Sequence, residues 1–143
     1  MRLGFTLLET TLALAIIGVV TSIAVPTIAR VRDRAAVHGA SSALVSAIAD
    51  ARHQALRWQR RSAVRFDTVT ATVVVSAGGS TGVHTLSSAP LAVVFGVTLH
   101  ATRDSIAFYP TGLGYGAANT RLIVARGAAA ETVTVSRAGR VKR

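Results

Sequence analysis

The sequence predicts an α+β protein: a long N-terminal helix, membrane-spanning in its first half and amphipathic in its second, packed on a small antiparallel β-sheet domain. Three observations carry this. Residues Phe5 to Val25 hold one charge, Glu9, among otherwise apolar or small uncharged side chains. Apolar residues then recur at three- and four-residue steps as far as Ala55. Beyond Arg61 the chain turns Val- and Thr-rich and alternates with period two. With 143 residues there is room for one domain.

A helix over 5–25 would be about 31 Å long, roughly the thickness of a bilayer core. A buried soluble helix is a poor alternative, because the remaining chain is too short to surround a helix apolar on every side. A secretory signal peptide is the second alternative, with Arg2 as its basic region, Leu12 to Val20 as its apolar region and Ser22-Ile23-Ala24 before the cut. Glu9 argues against it, since a carboxylate beside the apolar region weakens insertion. A charge in a membrane span costs roughly 2.5–3.5 kcal/mol at the bilayer centre and generally faces a partner. If the chain were cut between Gly4 and Phe5, the new α-amino group would lie one helical turn from Glu9, on the same face.

Gly4-Phe5-Thr6-Leu7-Leu8-Glu9, the apolar run behind it and Pro26 resemble the processing site of type IV pilins and pseudopilins. The resemblance implies a leader at 1–4, a prepilin peptidase that cuts between Gly4 and Phe5, and N-methylation of Phe5. It also implies that Glu9 guides filament assembly by pairing with a neighbouring subunit's amine. The partners would be that peptidase, other pilin or pseudopilin subunits and the bacterial inner membrane, crossed once. Counting positive charges, with Arg2 before the span and Arg30, Arg32 and Arg34 after it, would leave the large domain in the cytoplasm. The resemblance implies the reverse, a periplasmic domain that later enters the filament, because the leader must meet its peptidase on the cytoplasmic side.

The second half of the helix is expected over 27–61. Its apolar stripe is Val37, Ala40, Leu44, Ile48, Ala51 and Ala55, with Arg30, Arg34, Arg52, His53 and Arg57 mostly off it. Pro26 removes one helical hydrogen bond and is expected to break or kink the helix. Gly39 is expected to be a second soft point. The β-rich domain is placed at 62–143, with strands at 63–67, 70–76, 93–101, 105–109, 120–126, 131–136 and 140–143. Turns are expected at 77–80, 87–90, 110–116 and 138–139.

Within the superfamily the chain is most similar to the GspH/FimT group of minor pilins and pseudopilins. Ile106 to Gly112, Leu122-Ile123-Val124 and the ending from Val133 to Lys142 carry that similarity.

The chemistry-bearing residues point to no enzyme. Cys is absent, so thiolate metal sites, disulfides and a Cys nucleophile are excluded. His38, His53, His84 and His100 lack metal-ligand spacing. Asp33, Asp50, Asp67, Asp104 and Glu131 stand singly, and no nucleophile-elbow motif occurs. Gly112, Gly114 and Gly116 lead toward a strand rather than a helix N-terminus, so they read as a hairpin and not a phosphate cradle. No catalytic residue, metal or cofactor is expected.

Charge is the remaining signal. The formal net charge is +10, with fifteen Arg and one Lys against six acids. Arg52, Arg57, Arg60, Arg61 and Arg65 gather around Trp58, where the helix C-terminus alone favours cations. Arg137, Arg140, Lys142 and Arg143 form a basic ending. On a strand, Arg140 and Lys142 share one face and suit two successive phosphates, while Val141 and Arg143 share the other. An edge strand protected by charge is the alternative. FimT-type minor pilins that bind DNA end in Gly-Arg-x-Arg. Here the motif reads Gly139-Arg140-Val141-Lys142, and Lys keeps the charge without the bidentate geometry of Arg. The functional expectation is a minor pseudopilin or pilin in type II secretion or general pilus assembly. The alternative is a FimT-like pilin that binds duplex DNA for uptake in natural transformation through Arg137, Gly139, Arg140, Lys142 and Arg143.

Overall fold

The computed structural model describes residues 6–79, 82–115 and 119–143. Helix α1 runs from Leu7 to Trp58. The chain divides into two compact units, Met1–Arg32 and Asp33–Arg143.

In the first unit α1 is apolar and exposed. Its most apolar 18-residue window has a mean hydropathy of 2.3 and is 0% buried, so the helix is long and apolar enough to cross a membrane. Its hydroxyls are satisfied within the helix, as a lipid environment demands. Thr10, Thr11, Thr21, Ser22 and Thr27 donate to the carbonyls of Leu7, Leu8, Ile17, Val19 and Ile23 at 2.7–2.9 Å. Pro26 lies inside the helix and does not break it. One missing N–H is tolerated when the turns on either side hold.

In the second unit the six predicted stripe residues, from Val37 to Ala55, are all buried. They share one core with the inner faces of two antiparallel sheets. The first sheet is ordered β3-β2-β1-β5-β6, with β1 Ser62–Asp67, β2 Thr72–Gly79, β3 Gly82–Pro90, β5 Ser105–Phe108 and β6 Gly114–Tyr115. The second is ordered β4-β7-β8-β9, with β4 Thr98–Ala101, β7 Thr120–Arg126, β8 Ala129–Val135 and β9 Val141–Lys142. Alternation chooses the core face: Val64 and Phe66, Val73 and Val75, Ile106 and Phe108, Leu122 and Val124, Val133 and Val135 are buried.

Five expectations are corrected. The turn foreseen at 77–80 is strand as far as Gly79, because β2 continues to pair with β3 there. The strand foreseen at 93–101 is split: Leu91–Phe95 is a short helix, α2, ended by Gly96 at φ 65°, and only 98–101 is extended. Leu91 is buried while Val93 and Val94 face outward, so anchoring by Leu91 outweighs the β propensity of the valines. The turn foreseen at 87–90 is the end of β3, where Pro90 is tolerated because the strand lies at a sheet edge. The ending at 140–143 is extended only at Val141–Lys142. Gly39 interrupts nothing; a Cβ there would stand 2.8 Å from Cε1 of Phe95, so the glycine admits that ring. The hairpin reading of Gly112 and Gly114 matches the pairing of β5 with β6. Gly116 lies outside the described residues.

Candidate functional site

Two surfaces carry the residues singled out by sequence, the start of α1 and the C-terminal hairpin. Gly4 and Phe5 lie outside the described residues. Thr6 precedes the helix, and its Oγ1 accepts a hydrogen bond from the Glu9 amide at 3.3 Å. Thr6-x-x-Glu9 therefore forms the N-cap half of a capping box, with the carboxylate in the first turn where the helix dipole favours it. Sequence reasoning passed over this local role of Glu9, although its spacing was legible.

The C-terminal hairpin is built by hydrogen bonds around a glycine. The Ser136 amide donates to the Arg140 carbonyl at 2.9 Å, and the Gly139 amide donates to the Ser136 carbonyl at 2.9 Å. The Arg140 amide donates to Ser136 Oγ at 3.1 Å. Gly139 takes φ 72° and is packed against Phe108. This turn sets Arg137 and Arg140 at the surface, and β9 sets Lys142 there as well. Arg143 behaves differently. Its Nη2 donates to Ser42 Oγ at 2.7 Å and its Nε lies 3.9 Å from Glu131 Oε1. Glu131 also accepts from the buried Ser41 hydroxyl at 2.7 Å and lies 3.7 Å from His38. The last residue is thus tied to α1 and β8, whereas Arg137, Arg140 and Lys142 face solvent.

The second basic cluster is dispersed by the fold. Arg57 lies over the Trp58 ring at 5.4 Å. The indole N–H of Trp58 donates to Gln54 at 2.6 Å. Arg61 turns to a different pair of rings, 5.4 Å from Tyr109 and 5.1 Å from Tyr115, which meet edge-on at 4.9 Å. Arg65 lines a separate cleft with Asp67 and Asp104. Neither Arg61's aromatic partners nor Glu131's role as a hub has a sequence signal, since both depend on contacts between distant segments. Among the described residues no group of three or more His, Asp or Glu side chains is arranged to hold a metal.

The fold has solved counterparts. The minor pilin FimU of Pseudomonas aeruginosa, a type IV minor pilin, superposes with a TM-score of 0.62 at 14% identity, over 74% of this chain and 86% of that one. In a second space group FimU gives 0.59 at 15% identity, over 73% and 90%. The minor pseudopilin EpsH of the Vibrio cholerae type 2 secretion system gives 0.61 at 12% identity, over 74% and 94%. No protein-family model and no curated protein sequence matches the chain. The chain therefore has the pilin fold: a long N-terminal apolar helix packed on an antiparallel β domain, shared with a minor pilin and a minor pseudopilin.

Proposed function

We propose that this chain is a non-enzymatic minor subunit of a type IV-like filament, serving type II protein secretion or general pilus assembly. The observation that carries the reading is the contrast within one helix. Large apolar side chains from Leu7 to Val31 are more than half exposed, while the stripe from Val37 to Ala55 is buried in its own domain. An exposed apolar helix needs lipid first and neighbouring helices later, which is the life of a pilin-type subunit. On this reading the prepilin peptidase cuts between Gly4 and Phe5, Phe5 is methylated, and the domain is periplasmic. Glu9 pairs with a neighbour's amine in the filament. The test is expression with the cognate filament genes, followed by intact-mass analysis and filament shearing. The expected result is a processed chain starting at methylated Phe5, and a Glu9→Leu variant that is processed yet missing from the sheared fraction. An N-terminus at Val25, or normal incorporation of Glu9→Leu, overturns the reading.

The solvent-facing cations of the C-terminal hairpin favour a second reading, in which the subunit holds duplex DNA for uptake. Arg137, Arg140 and Lys142 would contact phosphates, and Gly139 would set their spacing. Arg143 contributes less, because its guanidinium is engaged by Ser42 and Glu131. Fluorescence anisotropy at two salt concentrations tests this on the full chain in detergent. Arg140→Ala/Lys142→Ala is compared with Arg57→Ala/Arg60→Ala, which removes equal charge elsewhere. DNA capture predicts loss in the first variant alone, with the salt slope falling by about 0.9 per lost phosphate contact. Equal loss in both variants makes the attraction generic and rejects a tail-centred site.

A further inference from the structure

A groove of about 450 Å³ runs between α1 and the C-terminal hairpin. Ala49, Leu56 and Val141 contribute apolar floor, and Arg52, His53 and Arg140 contribute basic groups; no acid lines it. We propose that this groove is a docking site for a segment of a different protein, one that carries an apolar anchor flanked by carboxylates.

The floor selects the anchor. Burying a leucine-sized side chain there removes apolar surface from water, which favours binding. A phosphate backbone has no such group to offer, which favours a peptide over nucleic acid. The volume falls in the range of ordinary ligand pockets, roughly 300–1,000 Å³. The rim selects the charge: two arginines bordering an open apolar trough favour carboxylates, since a guanidinium can bind a carboxylate through two hydrogen bonds.

A second copy of this chain does not fit. Its six acids, Glu9, Asp33, Asp50, Asp67, Asp104 and Glu131, are too far apart in sequence for a short segment to hold two, and Asp67 and Asp104, which the fold brings to one cleft, share it with Arg65. Asp33, Asp67 and Glu131 are moreover engaged by Arg126, Thr70 and Ser41. With a formal charge of +10, two copies also repel. The occupant is therefore a carboxylate-bearing segment of a different protein. Its identification as another subunit of the same filament rests on the proposed function; the binding itself does not.

The test uses the full chain in detergent micelles and a fluorescent synthetic peptide of alternating Glu and Leu. Its Gln-for-Glu counterpart and a short duplex DNA serve as controls. The Glu–Leu peptide is expected to bind at least tenfold more tightly than the Gln–Leu peptide. Ala49→Arg fills the groove from an exposed helical position that accepts Arg readily. It is expected to abolish peptide binding although it adds a positive charge, while Arg103→Ala, which removes an exposed charge outside the groove lining, leaves binding unchanged. Thermal melting checks that Ala49→Arg remains folded, and Leu56→Gln, expected to weaken the peptide severalfold, serves as a second groove variant. Equal binding of both peptides, or retained binding in folded Ala49→Arg, overturns the proposal. So does displacement of the peptide by duplex DNA whose own binding Ala49→Arg abolishes. Because Glu9→Leu leaves the groove intact, peptide binding by that variant separates failure of docking from failure of filament assembly.

Discussion

Gly139 lies against the ring of Phe108, so closely that a Cβ on the glycine would stand 3.1 Å from Cε1. Phe108 is fully buried and Gly139 sits at φ 72°. The turn that presents Arg140 is thus seated on the core. Gly139→Ala must hold a left-handed conformation, which costs about 1–2 kcal/mol, and must also displace the ring edge. A loss of about 1–3 kcal/mol in urea unfolding is expected. An unchanged midpoint would show that the turn is not seated this way.

Arg126 joins three segments. Its Nε lies 3.0 Å from Asp33 Oδ1 on α1, and its Nη1 donates to the Phe95 carbonyl at the end of α2. Both ionic side chains are about a quarter exposed. Arg126→Met removes both interactions and is expected to cost about 1–3 kcal/mol. Asp33→Asn keeps an acceptor and leaves the α2 carbonyl bonded, so its cost is expected to be smaller. Chemical denaturation of the two variants checks the order, and the reverse order would contradict it.

Glu131 gathers Ser41, Arg143 and His38, and these contacts are unequal. The bond from buried Ser41 measures 2.7 Å, whereas the Arg143 contact is a long, partly solvated 3.9 Å. Ser41→Ala is expected to cost about 1 kcal/mol. Arg143→Ala is expected to cost under about 1 kcal/mol, as partly solvated ion pairs do. In the DNA measurement, Arg143→Ala should weaken retention less than Arg140→Ala; a larger loss would place Arg143 at the phosphate.

Asp67 closes the turn between β1 and β2. The Thr70 hydroxyl donates to Oδ2 at 2.8 Å, and the Val69 and Thr70 amides donate to Oδ1 at 2.9 and 3.2 Å. The Thr70 hydroxyl first, then the two amides and the charge of Arg65, hold this carboxyl below its ordinary value. A lowered folded-state value means that its stabilisation is complete above the unfolded-state value, about 3.9, and disappears as the pH falls through the folded one. Thr70→Val is expected to raise the Asp67 titration midpoint, followed by carboxyl-carbon NMR. An unmoved midpoint would remove the hydroxyl from the account.

The residues that sequence located well are those whose burial follows from local periodicity. The stripe from Val37 to Ala55 needs only the helical repeat, and the core faces of β1, β2, β5, β7 and β8 need only alternation. The start of α1 was legible for the same reason, because a long apolar run with one carboxylate is a statement about neighbours in the chain. Errors arose where a distant partner decided. Nothing near Val93 announces that Leu91 is the buried anchor and that Gly96 ends a helical turn. Nothing near Leu86 announces that 82–90 pairs with β2 as an exposed edge.

By itself the sequence determined the membrane-length helix, the amphipathic continuation, the alternating strands and the basic ending, since each is written in the spacing of adjacent residues. The tertiary structure alone decided that the β-rich part forms two sheets, that Arg61 meets Tyr109 and Tyr115, and that Arg143 is held by Ser42 and Glu131. It also decided that Arg140 borders an apolar groove with Arg52. Most of these relationships join residues many tens of positions apart, and only the packing of one shared core brings them together.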